Sequence, residues 1–398
     1  MKKQTNIVIQ WHITENCRNR CKHCYIEKSA HMEASIKDMN IVFSKIQEFE
    51  ELYNVNIGNF VITGGDPFEN PAIKNLLSLL YDADKTVSIL GIPERITEES
   101  IRQMKELNVS SYQVSIDGMK DIHDSIRGAG SFDRTIESLK KMNMYELPTK
   151  VMFTISKSNA KDLVPLIRYL HDEKIRTLFA FDFLVFQGNA AKSKECHFES
   201  KEVQKIIDDY VQIQNEVQQL SSTVILGNKT SLLKAFWQRG TNWWRKYSEF
   251  NSITGCSCGF SGLTILPNGD VYPCRRLPVK VGNLMEDSFE KVFLGNPLMR
   301  RFRRISNYSY CVDCKYANVC RGCPAVTYSL MGDPFEQYPY CYLKEKSEEK
   351  YLNIPPMDVT NIQEMDFILH MFPNVVVNQA DSHCLAETLI KLKKSGVQ

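Results

Sequence analysis

The sequence predicts an α/β protein: a parallel sheet made by strand–helix repeats through the first half, then a small cysteine-rich part built on a β-hairpin. Three observations predict it. Strand-like and helix-like segments alternate from Asn6 to about Gln187. Eleven of the thirteen cysteines fall into three groups along the chain. A turn signal, Pro267-Asn268-Gly269-Asp270, separates two short apolar runs inside the second half.

Apolar alternation and β-branched content place strands at 6–11, 58–63, 86–90, 111–116, 150–155 and 177–186. Helical spacing of apolar residues places helices at 36–53, 71–81, 98–107, 131–142 and 159–171. Repeated strand–helix order implies parallel strands with right-handed crossovers. Six strands are too few for a full eight-stranded barrel.

Composition limits the function classes. Of 398 residues, 43% are hydrophobic and 24% charged, the balance of a soluble globular protein. A formal net charge of +2 argues against a strongly basic nucleic-acid surface. No apolar run reaches the length of a membrane span, and the start, MKKQTNIVIQW, reads as a strand and not a signal peptide. A cytoplasmic protein with no nucleic-acid or membrane partner is expected. Disulfides are then disfavoured, and thirteen cysteines point to metal or redox chemistry.

The first group is Cys17, Cys21 and Cys24, spaced CxxxCxxC after the first strand and followed by the aromatic Tyr25. Three thiolates can hold three irons of a 4Fe–4S cluster and leave the fourth iron open. An open position marks a catalytic metal centre. The alternative on these residues is a zinc knot completed by His23 or His12. The second strand ends in Thr63-Gly64-Gly65-Asp66-Pro67, where two glycines allow close backbone approach. The fourth ends in Ser115-Ile116-Asp117-Gly118, with His123, Asp124 and Arg127 shortly after. A hydroxyl there suits a ribose oxygen and a guanidinium suits a carboxylate.

These motifs resemble the radical SAM superfamily. The resemblance implies a partial (β/α)6 barrel with its chemistry at the carboxyl ends of the strands, and S-adenosylmethionine (SAM) on the open iron. It implies cluster ligands at Cys17, Cys21 and Cys24, and SAM contacts at Tyr25, Gly64, Gly65, Asp66, Ser115 and Arg127. The sequence departs from the family at two points. Asp66 stands where the glycine motif carries Glu, and Leu90-Gly91-Ile92-Pro93 replaces the Thr-Asn-Gly turn of many relatives.

Residues 188–250 read as a connector with a helix over 201–220 and a tryptophan cluster, Trp237, Trp243 and Trp244, suited to packing. The remaining grouped cysteines follow: Cys256 and Cys258, then Cys274 after Gly269, then Cys311, Cys314, Cys320 and Cys323, then Cys341. Taken alone, two sets of four thiolates also suit zinc. The pattern resembles the SPASM domain of radical SAM enzymes that modify peptides and proteins, except that Cys320 and Cys323 are separated by two residues instead of three. The resemblance implies two auxiliary 4Fe–4S clusters, on Cys256, Cys258, Cys274 and Cys323, and on Cys311, Cys314, Cys320 and Cys341, making three clusters in all.

The expected organisation is therefore a barrel over 1–190, a helical connector over 191–250, a SPASM domain over 251–345 and a C-terminal extension over 346–398. In the extension, a strand-like run at 372–378 precedes an amphipathic helix at 381–394 holding Cys384. Cys196 and Cys384 fit no cluster pattern. By resemblance, the expected activity is hydrogen abstraction from a ribosomally made peptide by a 5′-deoxyadenosyl radical, giving a thioether or carbon–carbon crosslink. A reduced flavodoxin- or ferredoxin-type protein would donate electrons. The alternative activity is sulfatase maturation, oxidation of Cys or Ser to formylglycine. Enzymes of that type carry Asp directly after the Cys of the GxxxxC element, where this chain has Arg275. A zinc-bound, non-catalytic binding protein is the reading from another class.

Overall fold

The computed structural model describes residues 2–26, 32–93, 96–192, 196–220, 222–233, 235, 255–312, 314, 316–317, 320–343. The expectations for the tryptophan cluster, Cys384 and the C-terminal extension lie outside the described residues.

The six expected strands form as neighbours in one parallel sheet: β1 (Val8–Thr14), β2 (Asn59–Gly64), β3 (Thr86–Leu90), β4 (Val109–Ser115), β5 (Thr149–Ile155) and β6 (Thr177–Phe183). The intervening helices are α1 (Ile36–Leu52), α2 (Ile73–Asp82), α3 (Glu98–Glu106), α4 (Lys120–Arg127), α5 (Ser131–Met144) and α6 (Leu163–Asp172). This is the partial barrel. Helix starts carry the caps the sequence supplies. Ser35 and Asp38 make a reciprocal capping box on α1, and Thr97 and Ser100 make one on α3.

Helix α4 was not expected. Its sequence, KDIHDSIR, buries only His123, so apolar periodicity has nothing to register. It matters because it ends on Arg127, where Gly128 (φ 116°) stops it.

Two short parallel strands flank the six. After α7 (Ser200–Gln219), β7 (Val224–Leu226) pairs with β6, so the connector contributes to the sheet as well as a helix. At the other edge β8 (Gly262–Ile265) pairs in parallel with β1, with Thr264 opposite Gln10. The expected hairpin forms from β8 and β9 (Asp270–Tyr272), and β10 (Gly282–Asn283) follows antiparallel. The cysteine-rich part is thus hydrogen-bonded into the barrel sheet. The hairpin covers the β1 edge, which would otherwise expose unpaired amides. Two further helices, α8 (Pro297–Arg303) and α9 (Pro324–Met331), complete this part.

Side chains alternate across the sheet. Ile9, Trp11 and Ile13 of β1 are buried beneath the helices with Phe43, Phe60 and Ile62. The other set, Val8, Gln10, Val61, Ser88, Gln113 and Lys150, lines the barrel interior. A barrel interior is usually filled by Val, Ile and Leu. This one mixes apolar side chains with Gln10, Ser88, Gln113 and Lys150, and encloses a cavity of about 170 Å³.

Near the amino ends of the strands lies a buried ion pair. Lys85 donates to Glu50 (2.7 Å) and to Asn56 (2.7 Å), and Glu50 accepts from the Ile57 amide (2.5 Å). Lys85→Met would leave the buried Glu50 carboxylate without its cation. The expected loss is about 3–5 kcal/mol, read as a lower denaturant midpoint at unchanged slope. Among the described residues, no helix is long and apolar enough to cross a membrane.

Candidate active site

The carboxyl ends of the strands converge on a cavity of about 160 Å³. Its walls include Cys17, Cys21, Cys24, Tyr25, Gly64, Gly65, Ser115 and Arg127, so sequence-distant candidates meet in one place. Asp66 is not among the lining residues. It is fully buried, and its carboxylate caps the short turn at Pro67–Glu69 by accepting from the Phe68 amide at 3.4 Å.

The two glycines have a structural reason beside any ligand. A Cβ on Gly64 (φ +143°) would lie 2.1 Å from the Thr14 carbonyl oxygen, and one on Gly65 2.2 Å from that of Asn16. Their amides hold that chain: Gly65 donates to Thr14 (2.8 Å) and Asp66 to Asn16 (2.7 Å). The second strand end therefore clamps the backbone leading into Cys17. On its far side the cysteine loop is held by Asn189. The Asn189 amide donates to the Cys24 carbonyl (2.9 Å) and its side chain to that of Cys21 (3.1 Å). Gly188 (φ +55°) gives the close approach this needs.

Arg127 is oriented by a buried network. Asp117, wholly inaccessible, binds the Arg127 guanidinium, and its Oδ2 lies 3.0 Å from His23 Nε2. Its Oδ1 accepts from the Thr154 amide at 2.7 Å. Burial alone would raise the Asp117 pKa. Arg127, His23 and the amide outweigh it and hold the carboxyl well below its ordinary value. Arg127 in turn directs Nη1 at the Cys21 sulfur (3.8 Å) and Nη2 at His23 (3.4 Å). His23 Nε2 is thus engaged with Asp117 and Arg127, while its Nδ1 has no hydrogen-bond partner. His12 is buried, and burial with nearby Arg275 pushes its pKa down to about 3, so it is neutral.

The eight downstream cysteines sort into two neighbourhoods. Burial, then the thiols of Cys256, Cys274 and Cys323, raise the pKa of Cys258. Burial, then Cys320, Cys314 and Cys341, push Cys311 up to about 12. Among the described residues, no three His, Cys, Asp or Glu groups are placed to hold a metal ion together. Cluster thiolates each bind a separate iron, a wider frame than a mononuclear site. Arg276 joins the first neighbourhood to the barrel: it pairs with Asp182, donates to the Phe183 carbonyl (3.1 Å) and stands 3.8 Å from the Cys323 sulfur. Cys196 is exposed, not buried as a packing thiol would be.

Asn189, Arg276 and Lys229 at the site carried no sequence signal. Each sits in a loop whose neighbours in space are remote in sequence. His23 and Asp117 lay inside quoted motifs, and only their contact gives them a role.

The two cavities are lined in common by Leu90, Gln113, Met152, Lys229 and Arg275. Cys256, Cys258 and Cys274 line the second, so the cavity of the CxxxCxxC loop and the cavity of these thiols adjoin.

Comparisons with known proteins agree with this layout. The Radical SAM superfamily matches residues 11–170, and the SPASM iron–sulfur cluster-binding domain matches 256–324. The AdoMet-dependent heme synthase of Methanosarcina barkeri is 25% identical over 340 residues, covering 84% of this chain and 95% of the relative. The antilisterial bacteriocin subtilosin biosynthesis protein AlbA of Bacillus subtilis is 22% identical over 325 residues, covering 78% of this chain and 65% of the relative. In fold, the chain is similar to Streptococcus suis SuiB bound to precursor peptide SuiA, with a TM-score of 0.67 at 18% identity, over 86% of this chain and 77% of SuiB. With both domains in order and the CxxxCxxC loop at the mouth of a partial barrel, this chain belongs to the radical SAM superfamily, as an enzyme with a SPASM iron–sulfur domain.

Proposed function

We propose that this enzyme modifies a peptide, forming a thioether or carbon–carbon crosslink. The observation that supports this most is a pair of adjacent cavities with Leu90, Gln113, Met152, Lys229 and Arg275 as common lining, one lined by Cys17, Cys21 and Cys24 and the other by Cys256, Cys258 and Cys274. A substrate held between them would lie near both the site of hydrogen removal and a place that can accept its electron or hold its thiolate. The similarity to AlbA adds to this reading.

In this reading Cys17, Cys21 and Cys24 hold one 4Fe–4S cluster. Tyr25, Gly64, Gly65, Ser115 and Arg127 form the SAM site, with Asp66 buried behind the glycine turn. Cys256, Cys258, Cys274 and Cys323 hold one auxiliary cluster, and Cys311, Cys314, Cys320 and Cys341 the other. The donor chemistry fits: thiols in sets of three and four, with Arg127 and Arg276 each 3.8 Å from a cysteine sulfur to offset anionic charge. When bound, SAM and its cluster would supply radical hydrogen abstraction from the substrate. The chain orients SAM through Arg127, pinned by Asp117, and through Ser115. The GG turn and Asn189 hold the cysteine loop. A reduced flavodoxin- or ferredoxin-type protein donates the electron.

A second reading, chemistry on a heme-type tetrapyrrole, is favoured by the similarity to the heme synthase. Formylglycine formation is the weaker alternative, because the cation of Arg275 lines the site where a carboxylate base is needed.

Anaerobic turnover with SAM and a reductant separates the readings. A peptide encoded beside this protein should emerge lighter by two hydrogens in mass spectrometry. An unchanged peptide together with a chemically altered tetrapyrrole would overturn the proposal. Reconstituted protein should hold about twelve irons, the content of three 4Fe–4S clusters. A plateau near about four irons with bound zinc would remove the auxiliary clusters from it.

A further inference from the structure

Each crosslink named above releases a proton as well as an electron. After a hydrogen atom leaves the substrate carbon, that carbon bonds to a thiol sulfur or to a second carbon. The S–H or C–H bond of the partner atom breaks in the same step. Its proton goes to a base, and the odd electron goes to an oxidant. The oxidant is an oxidised 4Fe–4S cluster, reduced by one electron, which Cys256, Cys258, Cys274 and Cys323 would hold. The proton still needs its base. Arg275 occupies the position from which sulfatase-maturing enzymes offer a carboxylate, so here a base must come from another element.

Among the described residues lining the upper cavity, the carboxylates are Glu15 and Asp182. Glu15 follows β1, close enough to Tyr272 of β9 for its charge to be felt there. Asp182 enters from the carboxyl end of β6, with its side chain 13% exposed. Its Oδ2 is bound by Arg276 Nη2, and the same nitrogen stands 3.8 Å from the Cys323 sulfur. Arg276 Nη1 donates to the Phe183 carbonyl at 3.1 Å, so the guanidinium spans from the cavity wall to an auxiliary thiol in a fixed position. Burial, opposed by Arg276 and helped by Asp182, pushes the Cys323 thiol up to about 12, so both charges reach it. Asp182 Oδ1 accepts from the Phe183 amide at 2.9 Å. A carboxylate has about four acceptor sites, so this one can take a proton while Arg276 stays in place.

We propose that Asp182 is the proton acceptor of the crosslinking step, placed so that the proton leaves beside the electron. This rests on the crosslinking reading. Arg276 ties the two exits together. It balances the carboxylate before the step and the added negative charge at the Cys323 side after it.

Asp182→Asn keeps an oxygen for Arg276 but cannot take the proton. Full-length reconstituted protein is assayed anaerobically with SAM, a reductant and the peptide encoded beside it. Crosslink formation, read as the loss of two hydrogens, should fall at least about a hundredfold in the variant. The first burst of 5′-deoxyadenosine, and its uptake of deuterium from labelled peptide, should stay within about twofold, because hydrogen removal comes earlier. Freeze-quenched samples of the variant should show an organic radical by electron paramagnetic resonance, which the wild type does not accumulate. In Asp182→Ala, formate and acetate should restore crosslinking in order of base strength, and chloride should not. Redox titration without SAM or peptide needs no turnover. There Asp182→Asn should raise the midpoint of one auxiliary cluster and leave that of the CxxxCxxC cluster unchanged, because an anion near Cys323 is gone.

Equal crosslinking by the wild type and Asp182→Asn would overturn the assignment and leave the crosslinking reading standing. So would loss of crosslinking in Glu15→Gln alone. Rescue by chloride as well as by formate would reduce Asp182 to an anchor for Arg276 and overturn its role as base. Unmoved potentials in Asp182→Asn would overturn the shared exit. A wild type that makes an aldehyde, lost in Asp182→Asn, would keep the proton acceptor and overturn the crosslinking reading. A wild type that alters no peptide would overturn both.

Discussion

Replacing Cys17, Cys21 and Cys24 together by Ala is expected to abolish 5′-deoxyadenosine formation while leaving about eight irons bound, the content of two full clusters. Only this set has three thiols, so only here would a cluster keep an open iron. The three side chains line the upper cavity, and the thiols of the other eight lie in two separate neighbourhoods. Anaerobic assay by liquid chromatography, with iron analysis of the same sample, reads both quantities. Continued formation of 5′-deoxyadenosine by the triple variant would move the reactive centre elsewhere. Loss of all iron would mean that the auxiliary thiols depend on the barrel loop, through the pairing of β8 with β1.

The second large effect is expected at Asp117, which the sequence reading did not assign. Its carboxylate holds both Arg127 and His23 in a wholly buried position. Asp117→Ala leaves two cationic or polar groups without their anion, at a stability cost of about 3–5 kcal/mol. It also frees Arg127 from the orientation in which, in the proposed site, it would meet the SAM carboxylate. SAM affinity should fall at least about tenfold, the loss of one charge-assisted pair. Isothermal titration of reconstituted protein gives the affinity and thermal unfolding gives the stability. Lys85→Met is the control, because it carries a similar stability cost remote from the cysteine loop. Equal SAM affinity in wild type and Asp117→Ala would make the network purely structural.

The fold was legible where periodicity is strong. The six barrel strands form where apolar alternation puts them, with ends shifted by a few residues: β1 runs on to Thr14, and β6 stops at Phe183. Ends shift because the last residues of a strand are decided by its neighbour's register. Helix α4 was hidden because it is charged and buries one residue. Strands β7 and β8, three and four residues long, were not legible as barrel strands because their pairing partners lie far off in the chain.

Cysteine spacing alone separated the loop set from the other eight thiols, because ligand spacing is a local property of the chain. Family resemblance divided those eight into two sets; in the structure Cys256, Cys274 and Cys323 lie near Cys258, and Cys314, Cys320 and Cys341 near Cys311. What only the tertiary structure decided is everything that depends on distance across the barrel. Gly64 and Gly65 read as room for a ligand, yet their missing Cβ atoms first make room for the backbone at Thr14 and Asn16. Asn189 reaches the carbonyls of Cys21 and Cys24 from a remote loop. Three cationic side chains meet at the interior cavity because β5 places Lys150 inward while loops after β7 and β9 deliver Lys229 and Arg275. No local pattern encodes that meeting, since charge adds up in space and these three residues are far apart along the chain.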